Sequence, residues 1–276
     1  MKTTKQLFST LTAMLLLFCT STISSQDDTS KDQEFMTVTT NHWNMNKEDF
    51  KMSEWKAAAK EYFEKVTMKN EYIMGASMYL HNMTGDNTEF IAVHNFASWE
   101  DIGKFGARSS ELEKEAWPDE AKRKAFLKNL ASYFANEHSD EIYAPISGAK
   151  YMTEKPTKDM VCYVRKSHFA FPEDGSMEEF EKLRMEGNAA IVQKNEHVKA
   201  YYPNVHAWGS DKTEYMEAFF LDSLADLDKM FERGGELMDI AFPETEENKA
   251  KGKAWGKYFT GVHGDYLYTW IHDLSK

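Results

Sequence analysis

The amino-acid sequence predicts an α+β protein in which one structural unit occurs twice. Shifting the chain by 125 positions aligns residues 52–143 with residues 177–268 without a gap and gives 26 identities in 92 positions. The two halves also show the same order of strand-like and helix-like segments, and turn-forming residues recur at the same place in each. The duplication therefore sets the fold class before any single element is assigned.

Each predicted unit begins with a strand and a helix. The strand covers residues 35–43 in the first half and Met160–Phe169 in the second, where β-favouring residues alternate with polar ones. Ser53–Val66 lacks Gly and Pro and carries apolar side chains at helical spacing, with Ser53 as the predicted N-cap. The sequence therefore predicts a β-α start in both halves.

A hairpin follows the first helix. Strands predicted over Tyr72–Met83 and Thr88–Phe96 flank a four-residue turn at 84–87, and the second half turns at 209–212. Two helices and a last strand complete the unit. Ser98 caps the second helix, which runs to Glu115, and Pro118 opens a third helix ending near Asn136. The last strand is predicted over about Asp140–Tyr151.

The order β-α-β-β-α-(α)-β is that of a ferredoxin-like, split βαβ unit. Its antiparallel sheet has helices on one face only, so two such sheets are expected to cover each other as a single-chain α/β barrel. On element order and duplication, the chain resembles the dimeric α/β-barrel superfamily in a tandem-fused form. We expect a first repeat over 35–155 and a second over 156–276.

The first residues are typical of an export signal. Lys2 and Lys5 precede an apolar stretch that is too short to span a membrane, and a small polar run follows, so cleavage is expected near Ser25. Lipoprotein anchoring through Cys19 is the alternative. Residues 26–34 are polar and are expected to form a disordered leader. The protein is therefore expected in the periplasm or outside the cell, without membrane insertion after cleavage.

Charge and cysteine content exclude several classes of function. Loss of residues 1–25, which contain two lysines and no acid, changes the formal charge from −12 to −14. Such an acidic chain is repelled by phosphate backbones, so nucleic acid is not expected as a partner. After cleavage only Cys162 remains, and we expect it to be a buried strand residue. The sequence also lacks a Gly-rich phosphate loop, a His-Glu-x-x-His motif and a nucleophile elbow.

Polar residues that both copies retain are the candidate site residues. The sheet order 4-1-3-2 places the end of strand one, the start of strand four and the tip of the hairpin along one edge, which predicts a polar rim on each sheet. The candidate ligand-binding or metal-binding residues in the two copies are His42, His81, Glu89, His138 and Asp140, and His168, His206, Glu214, His263 and Asp265.

Within this rim, His42 and His138 are the plausible adjacent pair, with Asp140 as a supporting carboxylate. Such a set could hold a divalent metal or act in acid–base chemistry. The alternative is that each histidine only ends a strand and bonds a backbone carbonyl. The predicted four-residue turn pairs His81 with Phe90, which would place His81 and Glu89 on opposite faces. Other charged residues that both copies retain, such as Arg108 and Glu111, are expected to form structural ion pairs on a helix.

Three functions remain open from the sequence. The first is binding of a small apolar or aromatic molecule in a cavity lined by residues such as Tyr79, Tyr201, Tyr202 and Tyr215. The second, implied by the resemblance, is a monooxygenase-like or haem-binding enzyme, with His42, His138, His168 or His263 as candidate bases or axial ligands. The third is a structural or interaction protein without a ligand. A homodimer is also left open.

Overall fold

The computed structural model describes residues 32–276, so the predicted signal peptide and most of the predicted leader lie outside the described residues. Eight strands and six α-helices form this part of the chain. The strands are β1 (Phe35–Trp43), β2 (Gly75–Met83), β3 (Glu89–Phe96), β4 (Phe134–Pro145), β5 (Met160–Phe169), β6 (Ala200–Trp208), β7 (Glu214–Leu221) and β8 (Phe259–Ser275). The helices are α1 (Met52–Lys65), α2 (Trp99–Ala116), α3 (Glu120–Ala131), α4 (Met177–Gly187), α5 (Ala225–Ala241) and α6 (Glu246–Gly256).

The strands close into an antiparallel barrel in the order β1-β3-β2-β8-β5-β7-β6-β4. Each repeat contributes four consecutive strands in the ferredoxin-like order, and the edges join where β2 pairs with β8 and β4 pairs with β6. The open face of each sheet is thereby turned into the barrel interior, and the helices lie outside. The predicted fold class, two ferredoxin-like repeats combined into one α/β barrel, is confirmed.

Several predicted boundaries differ from the structure. The third helix ends at Ala131 rather than near Asn136, and the last strand of the first repeat begins at Phe134. Pairing with β1 extends this strand, although its early residues lack the apolar alternation that marks a strand. Ser53 is not a cap: α1 begins at Met52, and no side chain caps it. Ser98 does cap α2 by accepting a hydrogen bond from the Asp101 amide.

Hydrophobic cores lie inside the barrel and between the sheets and the helices. Cys162 belongs to the interior core with 1% of its surface exposed, as predicted, and burial raises the pKa of its thiol. The core under the first-repeat helices also receives Ile271 and Leu274 from the end of β8. Within residues 32–276, no helix is both long and apolar enough to cross a membrane.

Candidate functional site

Polar side chains occupy one end of the barrel interior, as the sequence predicts. Glu89 lies opposite His42, and His81 lies opposite Tyr268 of the second repeat. The register that pairs Leu80 with Phe90 puts His81 on the same face as Glu89. Residues that lie directly opposite each other in antiparallel strands share a face of the sheet. The same arrangement recurs across β5, β7, β6 and β4 with His168, Glu214, His206 and Tyr143.

The predicted register of the first hairpin is wrong by one residue. Phe90 lies opposite Leu80 rather than His81. His81 and Glu89 therefore point to the same face, which is the barrel interior. The connecting turn is one residue longer than predicted, and the Asp86 carboxylate stabilises it by accepting hydrogen bonds within it.

The retained glutamates join the two repeats. The Tyr268 hydroxyl donates to Glu89 Oε1 over 3.2 Å, and the Tyr143 hydroxyl donates to Glu214. Each bond connects a tyrosine of one repeat to a glutamate of the other. Lys166 adds an ion pair to Glu214 at 3.3 Å. These contacts give Glu89 and Glu214 a structural reason to occur in both copies.

His42 and His168 contact the hairpin turns. His42 Nδ1 lies 3.2 Å from Asp86 Oδ2, and His168 Nδ1 lies 3.1 Å from Asp211 Oδ2. Both rings also contact a threonine of the same turn. The two histidines therefore connect the ends of β1 and β5 to the neighbouring hairpins in the same way.

The predicted pair of His42 and His138 does not form. His138 lies opposite Asn41, so it points to the outer face of the sheet while His42 points to the interior. Its Nε2 atom lies 3.4 Å from Asp140 Oδ2, and more than half of its side-chain surface is exposed. The second copy repeats this exposed contact between His263 and Asp265 at 3.2 Å.

The remaining two rim histidines differ between the copies. His81 Nδ1 lies 2.8 Å from the Thr84 hydroxyl, whereas His206 has a buried Nε2 without a hydrogen-bond partner among the described residues, 3.8 Å from Glu141. In the part of the chain that the structure describes, no group of three or more His, Cys, Asp and Glu side chains could hold a metal ion. A ligand-binding or metal-binding role for the rim stays a prediction.

A pocket of about 270 Å³ lies in the second repeat, between the sheet and the helices α4, α5 and α6. Its wall is apolar and aromatic for the most part, with a few polar groups, which is the usual make-up of a small-molecule site. The apolar and aromatic lining residues are Leu183, Ile191, Val192, Met238, Phe242, Trp255, Tyr201 and Tyr215. The polar and small ones are Arg184, Glu186, Asn188, Glu217, Asn248, Lys251, Gly187 and Gly252.

Arg184 is the most deeply buried charge of the pocket, with 3% of its side chain exposed. Its Nε and Nη2 atoms donate to Glu181 over 2.8 and 2.6 Å, and Nη2 also donates to Ser147 over 3.2 Å. The Nη1 atom is buried and has no hydrogen-bond partner within 3.5 Å among residues 32–276, although Arg184 lies close enough to Tyr215 to lower the pKa of that phenol against the larger effect of burial. A buried, unpaired donor is costly in a folded protein, so this atom marks a place for an acceptor.

Glu217 is the second charged group of the pocket. Its Oε1 atom accepts hydrogen bonds from Tyr201 over 2.6 Å and from Tyr215 over 3.4 Å. Burial raises the pKa of Glu217 despite these bonds and the nearby Arg165 and Arg184, which lower it. A carboxyl group with a raised pKa in a cleft is a common feature of functional sites.

A π-helical segment, Asn188–Val192, follows α4 and forms part of the pocket wall. Such segments are frequent at functional sites. The Asn188 side chain donates to the Gly148 carbonyl over 2.5 Å. Gly148 has a φ of +88°, and a Cβ there would come within 2.2 Å of Asn188. The connection between the repeats is thus packed tightly beside the pocket.

The equivalent positions of the first repeat lie 125 residues earlier and carry larger side chains in place of the two pocket glycines. Tyr62 and Leu127 stand where the second repeat has Gly187 and Gly252. Tyr62 stacks on Trp117, which stacks on Phe126. The polar pocket residues Arg184, Glu217 and Tyr201 correspond to Ala59, Ala92 and Ala76.

The sequence reasoning missed the charged pocket residues Arg184 and Glu217 because it selected polar positions that both copies retain. The signal that could have found them is the opposite one: an apolar core position of one repeat that is charged in the other. Ala59 and Arg184 form such a pair, as do Ala92 and Glu217.

A second cavity, of about 880 Å³, lies at the end of the barrel opposite the rim. Tyr79, Tyr202 and Trp270 line it. The aromatic residues that the sequence assigns to one cavity are thus divided, since Tyr201 and Tyr215 line the second-repeat pocket instead.

No protein-family model and no curated protein matches the chain. Solved structures share its fold at low sequence identity. An anthrone oxidase-like protein is 11% identical with a TM-score of 0.51, covering 89% of this chain and 94% of that chain. A candidate monooxygenase from Lactobacillus acidophilus NCFM is 9% identical with a TM-score of 0.50, covering 88% of this chain and 96% of that chain.

A chlorite dismutase mutant from Candidatus Nitrospira defluvii, solved in complex with cyanide, is 13% identical with a TM-score of 0.50. The match covers 87% of this chain and 91% of that chain. At these identities the similarity concerns the fold alone. The chain has the fold of the dimeric α/β-barrel superfamily in its tandem-fused form, as the sequence indicates.

Proposed function

We propose that the protein is an exported small-molecule-binding protein and that its binding site is the second-repeat pocket. The observation that carries this proposal is an apolar pocket lined by the buried Arg184, whose Nη1 atom lacks a hydrogen-bond partner among the described residues. A pocket with a few converging polar groups is the usual form of a ligand site. Export and a homodimer remain predictions from the sequence.

A monooxygenase-like or haem-binding enzyme is the alternative that the resemblance of the sequence implies, and one structural neighbour is described as a candidate monooxygenase. Haem does not fit the residues of the second-repeat pocket, which include no histidine and no cysteine. Tyr201 and Tyr215 are poor axial ligands, because burial raises the pKa of both phenols and both donate to Glu217. No catalytic step is therefore assigned.

The proposal is tested by placing in the second repeat the tyrosine that the first repeat has at the equivalent position, Tyr62. A Cβ on Gly187 would meet no atom within 4 Å, so Gly187→Tyr is expected to fill the pocket while the protein folds normally. Gly235→Tyr is the matched control, since Gly235 is also helical with open space around it but lies outside the pocket lining.

Saturation-transfer NMR with benzoate, benzamide, phenol and indole measures binding to the three proteins. We expect at least one compound to bind the wild-type protein and the Gly235→Tyr variant, and none to bind Gly187→Tyr. Equal signals from the wild-type protein and Gly187→Tyr would contradict the proposal.

A further inference from the structure

Arg184 lines the pocket with a guanidinium group that is held in one orientation. The Glu181 carboxylate and the Ser147 hydroxyl hold Nε and Nη2, so the guanidinium plane cannot rotate freely. Nη1 remains as a buried donor that carries part of a positive charge. The acceptor that gains most from such a donor is an anionic oxygen, because charge-assisted hydrogen bonds are about twice as strong as neutral ones.

Glu217 responds to the charge on Arg184. The guanidinium lowers the pKa of Glu217, and burial raises it more strongly. A ligand anion on Arg184 would offset the positive charge and so raise the pKa of Glu217 further. Binding of an anion should then be accompanied by uptake of a proton.

We infer that the second-repeat pocket recognises a small organic carboxylate, whose carboxylate is bound by Arg184 and whose binding is coupled to protonation of Glu217. This inference rests on the proposed function and names its ligand class. The apolar wall formed by Ile191, Met238 and Trp255 accommodates the hydrocarbon body of such an acid.

The other charged groups around Glu217 do not supply this coupling. Arg165 on β5 faces it, and Tyr201 on β6 and Tyr215 on β7 donate to its Oε1 atom. At the helix side of the pocket, Lys251 is paired with Glu186 at 2.7 Å. Of the charged groups in the pocket, Arg184 is the one with an unpaired buried donor among the described residues.

Benzoate and benzamide are the probes, since they differ in charge but hardly in shape. Isothermal titration calorimetry of the whole protein should give benzoate the higher affinity, by about tenfold or more. Arg184→Lys should reduce this preference, because a lysine keeps the charge but lacks the Nη1 donor. Even if the variant folds poorly, the preference of the wild-type protein for benzoate over benzamide tests the inference directly.

The pH dependence tests the proton coupling. Benzoate stays ionised from about pH 8 down to about pH 5.5, because carboxylic acids titrate near pH 4. Since binding raises the pKa of Glu217, the affinity should increase as the pH falls and Glu217 takes up its proton. Glu217→Gln should bind benzoate with no pH dependence. Titrations in phosphate and in Tris buffer would count the protons taken up.

The outcomes separate this inference from the proposed function. Binding of benzamide or phenol at least as tightly as benzoate would overturn the carboxylate inference and leave the pocket as a ligand site. A flat pH profile for the wild-type protein would overturn the coupling to Glu217. Failure of every probe, charged or neutral, to bind the wild-type protein would overturn both proposals.

Discussion

The two repeats share one backbone plan but use the layer between sheet and helices differently. In the first repeat, Trp43 stacks on Phe90 at 4.3 Å and meets Trp55 edge-on at 4.8 Å, so this layer is filled by aromatic rings. In the second repeat, the equivalent layer contains a pocket of about 270 Å³ with Arg184 and Glu217 in its wall. After duplication, one copy can maintain the packing while the other acquires polar groups, because the closed barrel stabilises both.

The largest expected effect concerns the packed layer. Phe63 is 4% exposed in the first-repeat core, so Phe63→Ala should lower the free energy of unfolding by about 3–5 kcal/mol. Its counterpart Asn188 packs against the pocket and bonds Gly148, so Asn188→Ala should cost only about 1–3 kcal/mol. Urea denaturation of both variants measures the difference. Equal losses would mean that the two layers are packed alike.

The second prediction concerns pH and a position where the copies differ, His94 and Phe219. Burial under α2 lowers the pKa of His94 to about 4, so the folded protein holds the ring neutral. The folded-state pKa lies below the unfolded value of 6.5. The stability that the neutral ring provides is therefore fully present above that pH and is lost as the pH falls toward 4, by up to about 3 kcal/mol.

His94→Phe, which copies the second repeat, should remove this part of the acid sensitivity. Unfolding free energies measured across the range from about pH 7 to about pH 4 would test it. The wild-type protein, measured over the same range, is the control. An unchanged pH profile for His94→Phe would contradict the prediction.

The third prediction concerns the bonds that join the repeats. Tyr268→Phe removes the hydrogen bond to Glu89 and should cost about 2 kcal/mol in the free energy of unfolding. Tyr143→Phe also removes the hydrogen bond that this hydroxyl accepts from Lys166 Nζ over 3.0 Å, but it should cost less, because Lys166 still pairs with Glu214. Thermal denaturation of the two variants ranks the losses. The reverse order would show that Lys166 does not compensate.

The smallest effect is expected at the glycines. Gly187 has helical angles, φ −64° and ψ −44°, and Gly187→Ala should stabilise the protein by about 0.5–1 kcal/mol. Gly261 has a φ of +83°, so Gly261→Ala should destabilise it by about 1 kcal/mol. The sign of each change in melting temperature is the measurement. Destabilisation by Gly187→Ala would indicate that the pocket wall cannot accept even a methyl group.

Much of the fold could be predicted from the sequence. Both first strands, residues 35–43 and Met160–Phe169, have the predicted bounds, because alternation within a strand is a local property. The end of α3 and the start of β4 could not be placed, since pairing with β1 decides them. The hairpin register was wrong because the conformation of a turn, which sets the register, depends on contacts such as those of Asp86.

The candidate site was predicted only in part. The rim histidines and glutamates do lie at one end of the barrel, with the exception of His138 and His263, which point outward. Their roles in binding stay predictions. Glu89 and Glu214 accept hydrogen bonds from tyrosines of the other repeat, so these two residues help to join the repeats. The pocket residues Arg184 and Glu217 were missed.

The sequence by itself determined the duplication, the order of elements and the ferredoxin-like plan, because identities between the copies and hydrophobic periodicity are both encoded along the chain. The tertiary structure alone decided which side chains meet. Arg184 lies on a helix and Glu217 on a strand, and they share a pocket only because α4 packs on the second sheet where glycines replace Tyr62 and Leu127. A pocket forms where several helices and strands together leave space unfilled by side chains, so no single segment of the sequence shows it.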